Sequence, residues 1–336
     1  MNTPKRSQQI LNGLKRGLIW ITLFMFTLVI MGMIYQTAAT EADQGKYPPP
    51  GVLVNVYGYK MHIYCVGEGS PTIILDHVGG GSSQDWALIQ PKLAERTRVC
   101  AYDRAGFGWS DYNPAPRTMW QQVHELHGLL EGANEKGPYI YVGHSYGARV
   151  ARVFAEKYPQ DVVALVLMDA GKLIDDPRYP AEEISNSKSE NKMIHTARWL
   201  APLGLVRLLQ PQISNPTYDL PDEARMASAS FSASSRYWLS LNNQIESLPQ
   251  VYQEERQVKS LGGIPVLVLI STEPDDASHK VWSQMNIETA DLSTRGSYRI
   301  VSGATHMSLA YRQKDAQVCT EGILSILDAV RTMAAR

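Results

Sequence analysis

The chain has 336 residues, enough for one large α/β domain or two smaller ones. Its 32 basic and 33 acidic residues leave a formal charge of -1 and are interspersed over most of the length, which removes the electrostatic case for a nucleic-acid partner. Lys5, Arg6, Lys15 and Arg16 are the exception, because all four precede the first acidic residue, Glu41.

After this basic segment, 1–16, the 19 residues from Gly17 to Tyr35 carry no charge. As a helix rising about 1.5 Å per residue they cover roughly 28 Å, close to a bilayer core of about 30 Å. That length predicts an uncleaved transmembrane anchor at 17–35. Thr37-Ala38-Ala39 offers small residues for a signal-peptide cut, but the apolar core of such a peptide usually runs about 7–15 residues. Basic residues on its N-terminal side hold that end in the cytoplasm and put everything after Tyr35 outside it. The polar stretch 36–50, ending Tyr47-Pro48-Pro49-Pro50, reads as a stalk.

From Gly51 onward short apolar runs alternate with helical ones, the pattern of an α/β domain. Gly51 to Tyr57 and Tyr59 to Val66 flank a Gly58 turn and read as an antiparallel pair. Thr72-Ile73-Ile74-Leu75 is apolar enough for a central strand, and it opens into a glycine-rich loop, Asp76 to Ser83. Val99 to Tyr102 is the next strand. The Gly106-Phe107-Gly108 after it lacks the third glycine and the following helix of a dinucleotide fingerprint, so it reads as a loop at a site mouth. Thr118 to Asn134 is helical. Tyr139 to Val142 is a buried strand that stops at Gly143-His144-Ser145-Tyr146-Gly147, and a helix patterned by Ala148, Ala151, Val153, Phe154 and Ala155 follows at once.

Strand, G-x-S-x-G turn and helix in that order make a nucleophile elbow with Ser145 at its tip. An oxyanion formed there needs two N–H donors, one from the residue after the nucleophile and one from an earlier strand's loop. Tyr146 and Gly79 fill those places. His77 is assigned no catalytic role. Val162 to Met168 is a further strand ending at Asp169, and 95 residues separate Asp169 from Pro265, where the strand Pro265 to Ile270 begins. A plain crossover needs about a dozen, so an insertion lies between them. Trp199, Leu200, Leu203, Leu205, Val206, Leu208 and Leu209 make an apolar helical stripe inside it, expected to pack on the main domain, or else to form a lipid- or substrate-facing wall. Arg236 to Leu239 is a second candidate lining segment.

The runs YPPPG at Tyr47, HIYCVGEGSPTIILD at His62, GGGSSQDW at Gly79, VCAYDRAGFGWSD at Val99, GPYIYVGHSYG at Gly137 and LVLMDA at Leu165 resemble the serine-dependent α/β-hydrolase superfamily, in particular bacterial members with an N-terminal membrane segment. The resemblance implies a mostly parallel eight-stranded sheet with helices on both faces, built from 51–170 and 262–336, and a helical cap, 171–261, inserted after the sixth strand. Val78 stands where relatives usually have Gly. The motif implies the chain order serine, acid, histidine. Among the histidines that follow Ser145, His306 comes after a last short strand, Tyr298 to Val301, and the loop Ser302 to Thr305, where relatives place the base; His279 is the fallback. Two positions satisfy the order: Asp169, favoured by the relatives this chain most resembles, and Asp275, with Asp276 beside it, in the loop after the following strand, the commoner location across the superfamily. The fold makes the strands of Cys65 and Cys100 neighbours, so a disulfide between them is possible outside the cytoplasm. No cysteine and histidine spacing matches a zinc site, and no cofactor is implied. The expected activity is hydrolysis of a small-molecule carboxylic ester, with an amidase or aminopeptidase as runner-up and a non-catalytic binding protein of the same fold as the alternative from another class.

Overall fold

The computed structural model describes residues 3–170, 176–209 and 218–335, with side chains from residue 8 onward. The start of the basic segment and the expected start of the cap at 171 lie outside these residues. In chain order the elements are α1 (Thr3–Lys46), β1 (Val52–Val56), β2 (Tyr59–Val66), β3 (Thr72–Asp76), α2 (Gln90–Ala94), β4 (Val99–Tyr102), α3 (Met119–Gly132), β5 (Tyr139–His144), α4 (Tyr146–Lys157) and β6 (Val162–Met168). Among the described residues the α-helices that follow are α5 (Ala181–Leu200), α6 (Leu205–Leu209), α7 (Asp222–Ser232), α8 (Ser235–Glu246) and α9 (Leu248–Glu255). The chain then returns through β7 (Val266–Glu273), α10 (Ala277–Ala290), β8 (Gly296–Thr305), α11 (Ser308–Tyr311) and α12 (Gln313–Ala334).

The strands form one sheet in the order β1-β2-β4-β3-β5-β6-β7-β8. β1 and β2 pair antiparallel, as do β2 and β4, and every other pair is parallel. Period-two alternation sends Ile73, Leu75, Ile140, Val142 and Val166 to one face, against Leu93 of α2 and Ile323 and Leu327 of α12. Ile74, Tyr141, Leu165, Leu167 and Val268 go to the other, against α3, α4 and α9. Both faces are covered, so the central strands read as unbroken apolar runs. From β3 the chain passes to β4 on one side and, later, to β5 on the other. The carboxyl ends of β3 and β5 therefore flank the point where the winding reverses, the crevice in which open α/β sheets bind ligands.

Three expectations change. The stretch 36–50 is not a free stalk: α1 continues to Lys46, because Ala38, Ala39, Ala42 and Gln44 favour helix and the prolines begin only at Pro48. One face of this extension, Gln36, Ala39, Thr40 and Asp43, is covered at helical spacing. The apolar stripe of the cap does not pack on the main domain. Val206 joins Ala197 and Ala201 in a small separate core, while Trp199, Leu205, Leu208 and Leu209 are exposed. Finally, β8 runs on to Thr305, where a loop from Ser302 was expected. A register irregularity at Ser271/Glu273 of β7 lets Thr305 pair with Glu273.

Candidate active site

β5 delivers the backbone to Gly143-His144-Ser145, and the chain reverses into α4 through Ser145 at φ 56 and ψ -110. A non-glycine residue in this region is strained and must be held there by its surroundings. The two flanking glycines show how. A Cβ on Gly143 would lie 2.4 Å from the Gly147 carbonyl carbon, and one on Gly147 would lie 2.4 Å from the Asp76 carbonyl oxygen. Backbone approaches backbone with no room for a side chain, and the Ser145 N–H is tied to the Met168 carbonyl at 2.9 Å. Ser145 is half-buried and lines a cavity of about 490 Å³ that His306, Tyr146 and Gly79 also line.

The His306 Nδ1 lies 3.1 Å from Asp169 Oδ2. Asp169, fully buried at the end of β6 with φ 43, accepts a hydrogen bond from the Ser271 N–H at 2.9 Å and another from the Ser271 hydroxyl at 2.5 Å. Burial pushes its carboxyl up, but hydrogen bonds from His306 and Ser271 outweigh burial and hold it below the usual carboxylate range. The His306 ring is bracketed by Trp282, edge-on at 5.0 Å between centroids, and by His144 at 5.0 Å. His144 Nε2 lies 2.9 Å from the His306 carbonyl oxygen, which joins the end of β5 to the end of β8. Burial first, then the neighbouring His306, push the His144 imidazole down to about 3, so it is neutral and donates that proton to the carbonyl.

Asp275 sits elsewhere. Its side chain is 77% exposed, 3.5 Å from Lys280, on the loop that starts α10. His279 lies on the cavity wall with Nε2 2.8 Å from the Ser271 carbonyl oxygen. Tyr146 is the first residue of α4, and a Cβ on Gly79 would meet the Tyr146 Cβ at 3.6 Å, so the two candidate oxyanion donors belong to adjacent stretches of backbone. The loop that carries Gly79 is braced from below. The buried Arg104 guanidinium pairs with Asp76 and donates to the carbonyls of His77 at 2.8 Å and Val78 at 2.6 Å. Asp76 also accepts from the hydroxyls of Tyr102 at 2.7 Å and Tyr141 at 2.9 Å. Cys65 and Cys100, opposite each other on β2 and β4, are joined with their sulfurs 2.03 Å apart.

The cavity wall is acidic. Glu183 and Glu190 of α5, Glu273 and Asp276 line it, and Arg149, the one arginine of its wall among the described residues, is paired with Glu255. Gln244 of α8 also faces this space; it is 4% exposed and its Oε1 has no hydrogen-bond partner among the described residues. A second cavity of about 420 Å³ meets the first at Val78, Gly79 and Met307 and is lined by Tyr218, Leu220, Phe231, Tyr237 and Tyr311. Of the segment 236–239, Tyr237 borders that second cavity, while Arg236 donates to the Gly108 carbonyl at 2.5 Å. Sequence reasoning missed Ser271, Trp282 and Gln244, which carry no local pattern. It also missed His144, although that residue lies inside the motif.

A family model described as the alpha/beta hydrolase fold matches residues 71–306, well over half of the chain. The chain belongs to the α/β-hydrolase family. An uncharacterised protein of Bacillus subtilis, YqjL, is 39% identical to this hydrolase over 103 residues, 31% of the present chain and 41% of YqjL. This hydrolase therefore spans less than half of that relative's length. Among solved structures, a putative lipase of Acinetobacter baumannii superimposes with a TM-score of 0.65 at 19% identity, covering 88% of this chain and 97% of that one. A haloalkane dehalogenase variant of Bradyrhizobium elkanii also gives 0.65, at 15% identity, covering 84% and 98%. At such identities the likeness is one of fold.

Proposed function

We propose that this α/β hydrolase is a membrane-anchored serine hydrolase that cleaves carboxylic esters through an acyl-enzyme intermediate. The observation that carries this reading is the strained Ser145 in one cavity with an imidazole, His306, bonded to the buried carboxylate of Asp169. In the proposed cycle His306 takes the Ser145 hydroxyl proton as the oxygen attacks the substrate carbonyl, and returns it to the departing alkoxide. Water, activated by the same imidazole, then releases the acid and restores the serine. Asp169 fixes the histidine tautomer and stabilises the imidazolium, and the N–H groups of Tyr146 and Gly79 stabilise the oxyanion. The largely apolar second cavity, beside Gly79, suits an acyl chain.

The acidic wall favours a second reading, an amidase or aminopeptidase, in which Glu183, Glu190, Glu273 and Asp276 attract a substrate ammonium group. Retention of the N-terminal segment is supported by what a cut after Ala39 would remove: the Gln36 side chain, 4% exposed, donates to the Ala233 carbonyl of the cap at 2.8 Å. A bonded Cys65 and Cys100 supports a domain outside the cytoplasm.

A fluorophosphonate probe tests the enzyme reading on the full chain. Labelling that disappears in Ser145→Ala is expected. No labelling of the parent protein would leave a binding protein that keeps the fold. Colour release from p-nitrophenyl esters against aminoacyl p-nitroanilides then separates the two chemistries.

A further inference from the structure

The end of α5 and the helix α6 carry large exposed apolar side chains: Trp199 is 68% exposed, Leu205 42%, Leu208 63% and Leu209 52%. Four such residues within one short segment form a patch that needs an occupant. The same segment lies directly against α1. A Cβ on Gly32 would fall 2.5 Å from the Leu203 carbonyl oxygen, and one on Gly204, itself at φ 75, would fall 2.8 Å from the Tyr35 ring. Two glycines, one on each partner, let the backbones approach closely, as small residues do where helices meet in lipid.

The depth of this contact follows from its position along α1. Gly32 and Tyr35 belong to the uncharged run 17–35, and Gly32 is three residues, about 4.5 Å of helix, inside its end. Polar contacts begin just beyond. Arg207 donates to Asp43 at 2.6 Å, Gln36 at 3.3 Å and Thr40 at 3.4 Å. Along one helix, apolar packing on the cap gives way to polar packing at Gln36 and, about two turns past Tyr35, to an ion pair at Asp43, as the hydrocarbon of a bilayer gives way to its headgroups. Tyr35, against Gly204, stands at that level, where aromatic side chains are enriched, and on the exposed Trp199 the Arg198 guanidinium lies 4.9 Å from the ring centroid.

We propose that the segment 199–209 inserts Trp199, Leu205, Leu208 and Leu209 into the outer leaflet beside α1, making the cap a second, monotopic contact with the bilayer. The occupant of the patch is lipid, because the patch is continuous with the apolar helix that a bilayer would cover. The proposal rests on the reading of α1 as a membrane anchor. With α1 docked on the cap, a second contact restrains the tilt and rotation of the whole in the bilayer, which one helix alone would leave open, and sets the cap over the catalytic cavity against the membrane surface.

The test uses the full chain in vesicles of phosphatidylcholine and phosphatidylglycerol containing doxyl-labelled phosphatidylcholine. A single cysteine carrying an environment-sensitive fluorophore is placed by Leu208→Cys, with Leu209→Cys as a second position, Leu23→Cys as the anchor reference and Glu131→Cys as the aqueous one. The free thiol Cys319 is buried, so the parent protein takes up little label. Expected are a blue-shifted emission and loss of fluorescence to the lipid quencher at positions 208, 209 and 23, and neither at 131. Quenching at 23 without quenching at 208 and 209 overturns the insertion of the cap and leaves the anchor standing. Absence of quenching at 23 overturns the anchor reading and this proposal with it. Quenching at 131 equal to that at 208 overturns it too, by showing adsorption without a preferred face.

Discussion

At the scale of single residues, the proposed mechanism turns on which carboxylate orients the imidazole. Asp169 is buried, bonded to His306 and held below the usual carboxylate range, first against burial and then by His306 and Ser271. Asp275 is exposed and faces Lys280. Asp169→Asn is expected to lower ester turnover by about 10³–10⁴ fold, as loss of the orienting acid does elsewhere, because the amide favours the wrong tautomer. Asp275→Asn is expected to change it less than about twofold, the effect of removing an exposed ion pair. Steady-state kinetics on a p-nitrophenyl ester checks both. Equal losses would remove the distinction.

Among the elements, the junction of β5 with α4 is the most constrained. Gly147 packs on the backbone of Asp76, the last residue of β3, and Gly143 packs on Gly147, so a strained serine is held where two strands and a helix converge. Gly147→Ala must push β3 and α4 apart, and overpacking of this kind costs about 1–3 kcal/mol. The displaced backbone carries both Ser145 and the Tyr146 N–H. A lowered denaturation midpoint together with loss of fluorophosphonate labelling is therefore expected, and wild-type labelling at wild-type stability would contradict the packing argument. The contact of α1 with the cap belongs to the same scale: Arg207 links the residues beyond the apolar run to the insertion.

For the molecule as a whole, the buried imidazoles couple stability to pH. Burial, and then the proximity of His306, push His144 down to about 3, against about 6.5 in an unfolded chain. Between those values the unfolded chain binds a proton that the folded protein refuses, so stability is complete above about pH 6.5 and falls as the pH is lowered toward 3. His77, pushed well below its ordinary value by burial and then by Arg104, acts in the same direction. Asp85 acts in the opposite one, since burial raises it to about 7. Comparing the protein with His144→Gln isolates one group. The variant is expected to lose less stability between pH 6.5 and 4, by an amount of order a few kcal/mol, in thermal or denaturant unfolding across that range. Parallel curves for the two proteins would show that His144 does not titrate on unfolding.

Local sequence determined what depends on local patterns. The alternation of short apolar runs with helical ones specified an α/β chain, a 95-residue gap announced the insertion, and two glycines around Ser145 between a strand and a helix marked the elbow. The position of the acid was not legible, since Asp169 and Asp275 both follow strands in the permitted order. Only the packing of β6 beside β7 brings Ser271 onto Asp169 and leaves Asp275 in water. The fate of Trp199 to Leu209 was equally closed to sequence, because an apolar helical period says that one face seeks cover and not what covers it. Only tertiary structure shows Asp169 bonded to His306 and the side chains of Trp199, Leu205, Leu208 and Leu209 exposed, since a hydrogen bond or a buried face depends on which distant segments meet, and one-dimensional spacing does not encode that meeting.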